Sequence, residues 1–318
     1  MRQVLYICLI LVTMLAAAGC QRGEKNSESR PTVALVMKTL NNPFFIDMQA
    51  GAESIADSMG INLLVQAAER EIDVEKQMQI IENLIQIKVD VICLTPSGAR
   101  EIIPAIVKAN KADIPVIIVD SRIDSALLAE AGGRIESFIG SDNFDGGRIA
   151  GEYIISKLSG AGHVAILEGI PGHETGDMRL AGFHKALESA PGIRVLSSQT
   201  ANWERDQGFN VFQNMLQSYP DIRALFSCND MMALGAIEAI AAAGKTDDII
   251  VVGFDAVEDA REAIRQGTLA ASVAQHPFEM GKLAIISARS LIDGRDIPAF
   301  LPVKIDLITV SNVGPARQ

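Results

Sequence analysis

Unbroken apolar runs separated by stretches of helical periodicity restrict this chain more than any other feature. Val33–Met37, Ile61–Gln66, Val89–Leu94 and Pro115–Val119 are mostly continuous in apolar residues rather than alternating. A strand that is apolar at successive positions is covered on both faces, as in a parallel sheet between two helix layers. Between the runs, Phe45, Met48, Ala52, Ile55, Ala56 and Met59, then Val74, Met78, Ile81 and Ile85, recur at helical spacing. A further helix is predicted over Ala99–Ala109. The segment Ser121–Arg134 breaks the rhythm with small and charged residues.

A second series follows. Strands are predicted at Phe138–Gly140, Val164–Leu167, Ile193–Ser197, Ala224–Phe226, Ile249–Val252 and Ala270–Ala274, and helices at Phe144–Leu158, Asp177–Leu187, Arg205–Leu216, Met231–Ala243 and Glu258–Ile264. Gly160, Gly192, Gly244 and Gly267 fall where helices should stop. A last helix is expected over Pro277–Ile292 and a last strand over Val303–Thr309. That is too many strands for one comfortable core, so the pattern predicts an α/β chain of two similar Rossmann-like lobes with parallel sheets.

The amino terminus has a different grammar. MRQVLYICLILVTMLAAAGC carries one cation, Arg2, and an apolar run from Val4 to Ala18, short for a membrane span and suited to a signal-peptide core. The small residues directly before Cys20 resemble the lipobox of bacterial lipoproteins. That resemblance implies a signal peptide over residues 1–19, cleavage before Cys20, and lipidation of its sulfur. An ordinary signal peptide with an incidental Cys is the alternative. Residues 20–30, polar and charged after the Cys, read as a tether. Of the four Cys, Cys93 and Cys228 sit in apolar runs and read as small buried residues. With net charge −11 and no Lys/Arg-rich run, nucleic acid is not an expected partner.

Chemistry-bearing residues collect where strands end. Asn42 can cap a helix that begins at Pro43, which puts Phe44 and Phe45 at a strand-to-helix junction. Such junctions carry the ligand in open parallel sheets. Later strand ends supply Asp120, Ser121 and Arg122, then Trp203, Asn229, Phe254 with Asp255, and Gln275, while Arg179 follows the strand at Val164–Leu167. Aromatic rings cover the C–H faces of a sugar; carboxylates, amides and a guanidinium serve its hydroxyls. Each residue alone has a plainer reading as a cap, a turn former, an ion pair or packing; the joint placement favours a sugar site.

From Thr32 to about Val310 the chain resembles the ribose-binding branch of the type 1 periplasmic binding proteins. The motifs are ALVMKTLNNPFF at Ala34–Phe45, IPVIIVD at Ile114–Asp120 and GSDNFDGGRIAGEYI at Gly140–Ile154, then CNDMMALGAIEA at Cys228–Ala239, VVGFDA at Val251–Ala256 and SVAQHP at Ser272–Pro277. The resemblance implies ligand contacts at Asn42, Phe44, Phe45, Asp120, Arg179, Trp203, Asn229, Phe254, Asp255 and Gln275. It also implies a three-crossover hinge near Ser141, Gln275 and Lys304. The N-terminal lobe would be 31–140 plus 276–304, and the C-terminal lobe 141–275 plus 305–318. The expected function is a monosaccharide receptor, for a pentose or hexose, that closes around its ligand without catalysis or cofactor and docks as a monomer on an ABC-transporter permease. A chemoreceptor or sensor kinase is the alternative partner. The expected location is the cell envelope, lipid-anchored and facing the periplasm or exterior. The chain departs from the ribose pattern at Ser121, where the family has Arg, at Lys38, where it has a small polar residue, and at Trp203, where it has Phe. Arg122, in an extended segment, is expected to point away from Ser121.

Other features read blandly. Gly146, Gly147 and Gly151 suggest close backbone packing, since their spacing fits no phosphate-binding pattern. The four His are scattered without metal-ligand spacing. Glu174 reads as a solvated loop residue. Glu69-Arg70-Glu71 reads as a surface charge cluster, with a ligand contact as the alternative implied by the resemblance. A sugar-responsive repressor would need a basic helix-turn-helix where this chain has an apolar leader. An α/β enzyme would need a nucleotide fingerprint or an activated nucleophile, and neither is found.

Overall fold

The computed structural model describes residues 30–315. The signal-peptide and Cys20 expectations therefore lie outside the described residues. Strands β1 (Thr32–Met37), β2 (Asn62–Ala67), β3 (Val91–Leu94), β4 (Val116–Val119) and β5 (Ser137–Gly140) form one parallel sheet with β11 (Phe300–Pro302), in the order β2-β1-β3-β4-β5-β11. The second sheet repeats that arrangement. Strands β6 (Ala161–Glu168), β7 (Gly192–Thr200), β8 (Ala224–Ser227), β9 (Ile250–Asp255) and β10 (Ala271–Ala274) join β12 (Asp306–Thr309) in the order β7-β6-β8-β9-β10-β12. Only β12 runs antiparallel, Ala271 opposite Thr309. The two-lobed α/β expectation is met.

Helices α1 (Pro43–Ala56), α2 (Val74–Gln86), α3 (Ile103–Lys111) and α4 (Ser125–Glu130) follow successive strands of the first lobe. In the second, α5 (Asn143–Lys157) precedes β6, α6 (Glu174–Leu187), α7 (Arg205–Ser218), α8 (Asp230–Ala242) and α9 (Glu258–Gln266) follow β6 to β9 in turn, and α10 (Pro277–Ile292) returns to pack on α1. The chain passes between sheets after β5, after β10 and between β11 and β12.

The Gly pair of α5 serves packing. A Cβ on Gly147 would lie 1.9 Å from the Arg179 carbonyl oxygen of α6, and one on Gly182 of α6 would lie 1.9 Å from the Phe144 carbonyl oxygen of α5. The helices cross at backbone contact, and this crossing sets where Arg179 starts. Gly160, Gly244 and Gly267 adopt positive φ at turns, as expected of helix stops. Gly192 instead begins β7, where a Cβ would lie 2.6 Å from the Gly160 carbonyl oxygen.

Three local expectations shift. The segment Ser121–Arg134 contains α4, capped by Asp124, whose Oδ1 accepts from Leu127 N–H at 3.0 Å. Helix α3 starts at Ile103, with Pro104 in its first turn, rather than at Ala99. The expected last strand, Val303–Thr309, is shorter: β12 covers Asp306–Thr309, an unanticipated β11 lies in the other sheet, and the residues between them pass from lobe to lobe.

Candidate ligand-binding crevice

The carboxyl ends of both sheets meet at a crevice lined by Lys38, Asn42, Phe44, Phe45, Glu71 and Asp120 from one lobe. Thr175, Arg179, Trp203, Asn229 and Asp255 come from the other, with Gln275 at a crossover. All are buried, so the lobes are closed upon each other. Its open space is only about 20 Å³, little more than one water occupies, so the lining side chains already meet across it.

Most of these side chains are placed by strand ends, while Thr175 and Arg179 come from α6. Three of them, Asp120 (φ 68°), Trp203 (φ 68°) and Asp255 (φ 110°), hold left-handed backbone without being glycine. Such residues cost about 1–3 kcal/mol each and persist where the surroundings over-determine them. Asn42 caps α1 as expected: its Oδ1 accepts from Phe44 N–H at 3.0 Å while its Nδ2 donates to Glu71 Oε1 at 3.2 Å. Asn229 also fulfils its plainer reading, its Oδ1 accepting from Met232 N–H at 2.9 Å. Capping and crevice lining coexist in both residues. The Phe44 and Phe45 rings meet edge to face at 5.2 Å and form an apolar wall.

Polar groups in the first lobe form a chain. Lys38 Nζ donates to Ser121 Oγ at 2.6 Å, and the Ser121 hydroxyl donates to Asp120 Oδ2 at 2.7 Å. The ammonium also stands 3.5 Å from Asp120 and 3.9 Å from Glu71. Burial raises the Glu71 pKa, and the Lys38 charge opposes that rise.

In the second lobe Arg179 is anchored before it meets any ligand. Its Nε donates to Asn143 Oδ1 at 2.9 Å and its Nη1 to the Cys228 carbonyl at 2.7 Å, leaving Asp255 at 3.6 Å. Gln275 Nε2 donates to Asp255 Oδ1 at 2.6 Å, and the buried Gln275 Oε1 has no hydrogen-bond partner, so it can accept from a guest hydroxyl. Burial pushes the Asp255 pKa well up against the pull of Arg179. Trp203 fits because Gly169 is bare: a Cβ there would lie 1.9 Å from the indole. The indole N–H donates to His173 Nδ1 at 3.3 Å, and burial, followed by the Lys38 charge, lowers the His173 pKa to about 3.

Nine of the ten expected contacts line the crevice, and Phe254 does not. Its ring, fully buried, lies under the Arg179 guanidinium, 3.9 Å from centroid to Cζ, and supports it from behind. Glu71 is no surface charge; it is buried in the crevice while Glu69 and Arg70 remain exposed. Glu174 is half-buried and faces Arg122 at 3.8 Å, again less solvated than expected. Arg122 does turn away, stacking on Phe138 with Cζ 3.9 Å from the ring centroid. Thr175 was not anticipated; a Thr opening a helix reads as an ordinary N-terminal residue. Among the described residues no cluster of His, Cys, Asp and Glu could hold a metal, and no helix is long and apolar enough to cross a membrane.

Acceptors, donors and rings converging from two hinged α/β lobes define a solute receptor of the two-lobed type. Residues 33–296 match the periplasmic binding protein domain, and the chain belongs to that family. It is 37% identical over 299 residues to the ribose import binding protein RbsB of Escherichia coli (strain K12), covering 94% of this chain and 97% of that one. It is 36% identical over 270 residues to the D-allose-binding periplasmic protein of the same strain, covering 83% and 86%. The solved structure of an ABC transporter periplasmic solute binding protein from Actinobacillus succinogenes 130z with bound D-allose superposes with TM-score 0.85 at 38% identity, covering 89% and 99%.

Proposed function

We propose that this chain is a lipid-anchored, non-enzymatic receptor that binds one pentose or hexose between its lobes and presents the closed form to an ABC-transporter permease. The observation that carries the reading is the division of the crevice: Asn42, Phe44, Phe45 and Asp120 come from one lobe, Arg179, Trp203, Asn229 and Asp255 from the other. A guest that touches both surfaces binds the closed form better, and it shifts the hinge only by that difference in affinity. The same division supports lobes of 31–140 plus 276–304 and 141–275 plus 305–318. It also supports the ten residues named from the sequence as the binding set, with Phe254 acting from beneath Arg179. The ribose- and allose-binding relatives support a monosaccharide of that size. The lipobox-like sequence before Cys20 supports the anchor, and with it an extracytoplasmic place at the membrane.

A thermal-shift screen against pentoses, hexoses, polyols and sugar phosphates tests the ligand class. A sugar at 100 times its Kd should add about 2.7 kcal/mol of stability. No shift with any monosaccharide would overturn the reading. Labelled palmitate appearing on the wild type and not on Cys20→Ser tests the anchor.

A further inference from the structure

Asp230 opens α8 and is fully buried, yet it does not line the crevice. Both its carboxylate oxygens reach toward the end of β9. Oδ2 accepts from Val257 N–H at 2.9 Å, and Oδ1 accepts from the Ser272 hydroxyl at 2.7 Å. Ser272 Oγ accepts in turn from Ala256 N–H at 2.9 Å. Ser272 sits on β10, in register with Gly253 of β9. Gly253 makes room for the carboxylate, since a Cβ there would lie 2.2 Å from Asp230 Oδ1.

The peptide groups fastened in this way are those just after Asp255. Asp255 and Ala256 hold φ of 110° and 53°, conformations that side-chain-bearing residues seldom adopt and that relax unless held. A carboxylate suits the task because it accepts from two donors at once, where an amide offers a single acceptor oxygen. Burial raises the Asp230 pKa while the Ser272 hydroxyl and the Val257 N–H pull it down, so those two donors favour the ionised form.

We infer that Asp230, directly through Val257 and indirectly through Ser272, is a positioning residue for Asp255: it fixes the left-handed turn that sets the Asp255 carboxylate beside Arg179 and Gln275. The inference rests on the crevice being a sugar site. Asp230 touches no ligand; it acts by preorganising a group that does, which lowers the cost of ordering on binding.

A double-mutant cycle separates this role from a general structural one. Kd values for D-ribose and D-allose are measured by calorimetry on the wild type, S272A, D255N and the S272A/D255N pair, with N42A and S272A/N42A as the control cycle. S272A should raise Kd about tenfold, the size of one lost hydrogen bond of charged character. In the D255N background the same change should raise it less than about threefold, whereas with N42A the two losses should multiply. Multiplication in both backgrounds would overturn the inference and leave the sugar site standing. D230N should behave as S272A does; if it fails to fold, S272A alone decides. If the wild type takes up neither these nor any other monosaccharide, the sugar reading falls. A crystal structure of S272A then decides the inference: Asp255 and Ala256 leaving positive φ supports it, and an unchanged turn overturns it.

Discussion

The Lys38 ammonium donates to Ser121 Oγ at 2.6 Å, and the Ser121 hydroxyl passes the chain on to Asp120. These are the two positions at which the sequence departs from the ribose-binding pattern on this side of the site. The two departures touch one another. A planar guanidinium is absent at Ser121, and a point charge arrives from Lys38 on β1's end to face the same carboxylate.

Lys38→Met should therefore harm the protein as well as its affinity. It removes the cation between Asp120 and Glu71, both buried, and a buried pair broken on one side costs roughly 3–5 kcal/mol. Part of that loss is relieved by protonation of Glu71, whose pKa is already raised. Thermal melts and calorimetry on one preparation check both losses. Unchanged affinity and melting temperature would remove Lys38 from the site.

Asp255→Asn keeps the shape and exchanges an acceptor oxygen for an amide N–H. Leaving a buried polar group unsatisfied costs about 1–3 kcal/mol, so Kd for the cognate sugar should rise roughly 5- to 150-fold. Isothermal calorimetry reads this directly. An unchanged Kd would mean that Asp255 serves only Arg179 and Gln275 inside the protein.

His173 makes stability fall in mild acid. Its pKa is lowered from 6.5 to about 3 in the folded protein, by burial first and the Lys38 charge second. The unfolded chain therefore takes the proton first. The contribution is present in full above pH 6.5 and is lost as pH falls from 6.5 toward 3. Between pH 6.5 and pH 5 the slope climbs from half of about 1.4 kcal/mol per unit to nearly all of it, so about 1.6 kcal/mol is at stake. Glu71 and Asp255, with raised pKa values, act in the opposite sense. The measurement is thus the difference between wild type and His173→Gln in urea melts at those two pH values. Parallel curves would refute the prediction.

Trp203 gives the protein a built-in reporter, for it is the only Trp in the chain and it lines the crevice. Titration with a cognate sugar should change its emission in one saturable step. Trp203→Phe should abolish the signal while retaining binding, since a ring still covers the sugar face. A sugar that binds by calorimetry without altering the emission would put the guest elsewhere.

Much of this architecture was legible because burial on two faces leaves a simple trace. Val33–Met37 and Pro115–Val119 have to be apolar throughout, and the residues after them have to be where a parallel sheet opens to a ligand. Asn42, Asp120 and Asp255 were found in that way. Glu71 was less legible because its burial depends on Lys38, more than thirty residues away, and on the opposing lobe. Phe254 was placed too far forward because adjacent strand-end residues point to opposite sides; Asp255 faces the crevice and its neighbour the support of Arg179. Helix α4 and strand β11 are too short to carry a period. His173 carried no signal at all, since its meaning lies in the indole it meets.

The three passages of chain between the sheets restrict what the halves can do relative to one another. His276 in the second passage meets Asp306 beyond the third, Nε2 to Oδ2 at 2.8 Å, so two of the three are tied side by side. A single connector would let one half swivel and slide freely over its twin. Three connectors, two of them tied together, oppose such sliding and favour a swing of one half against the other.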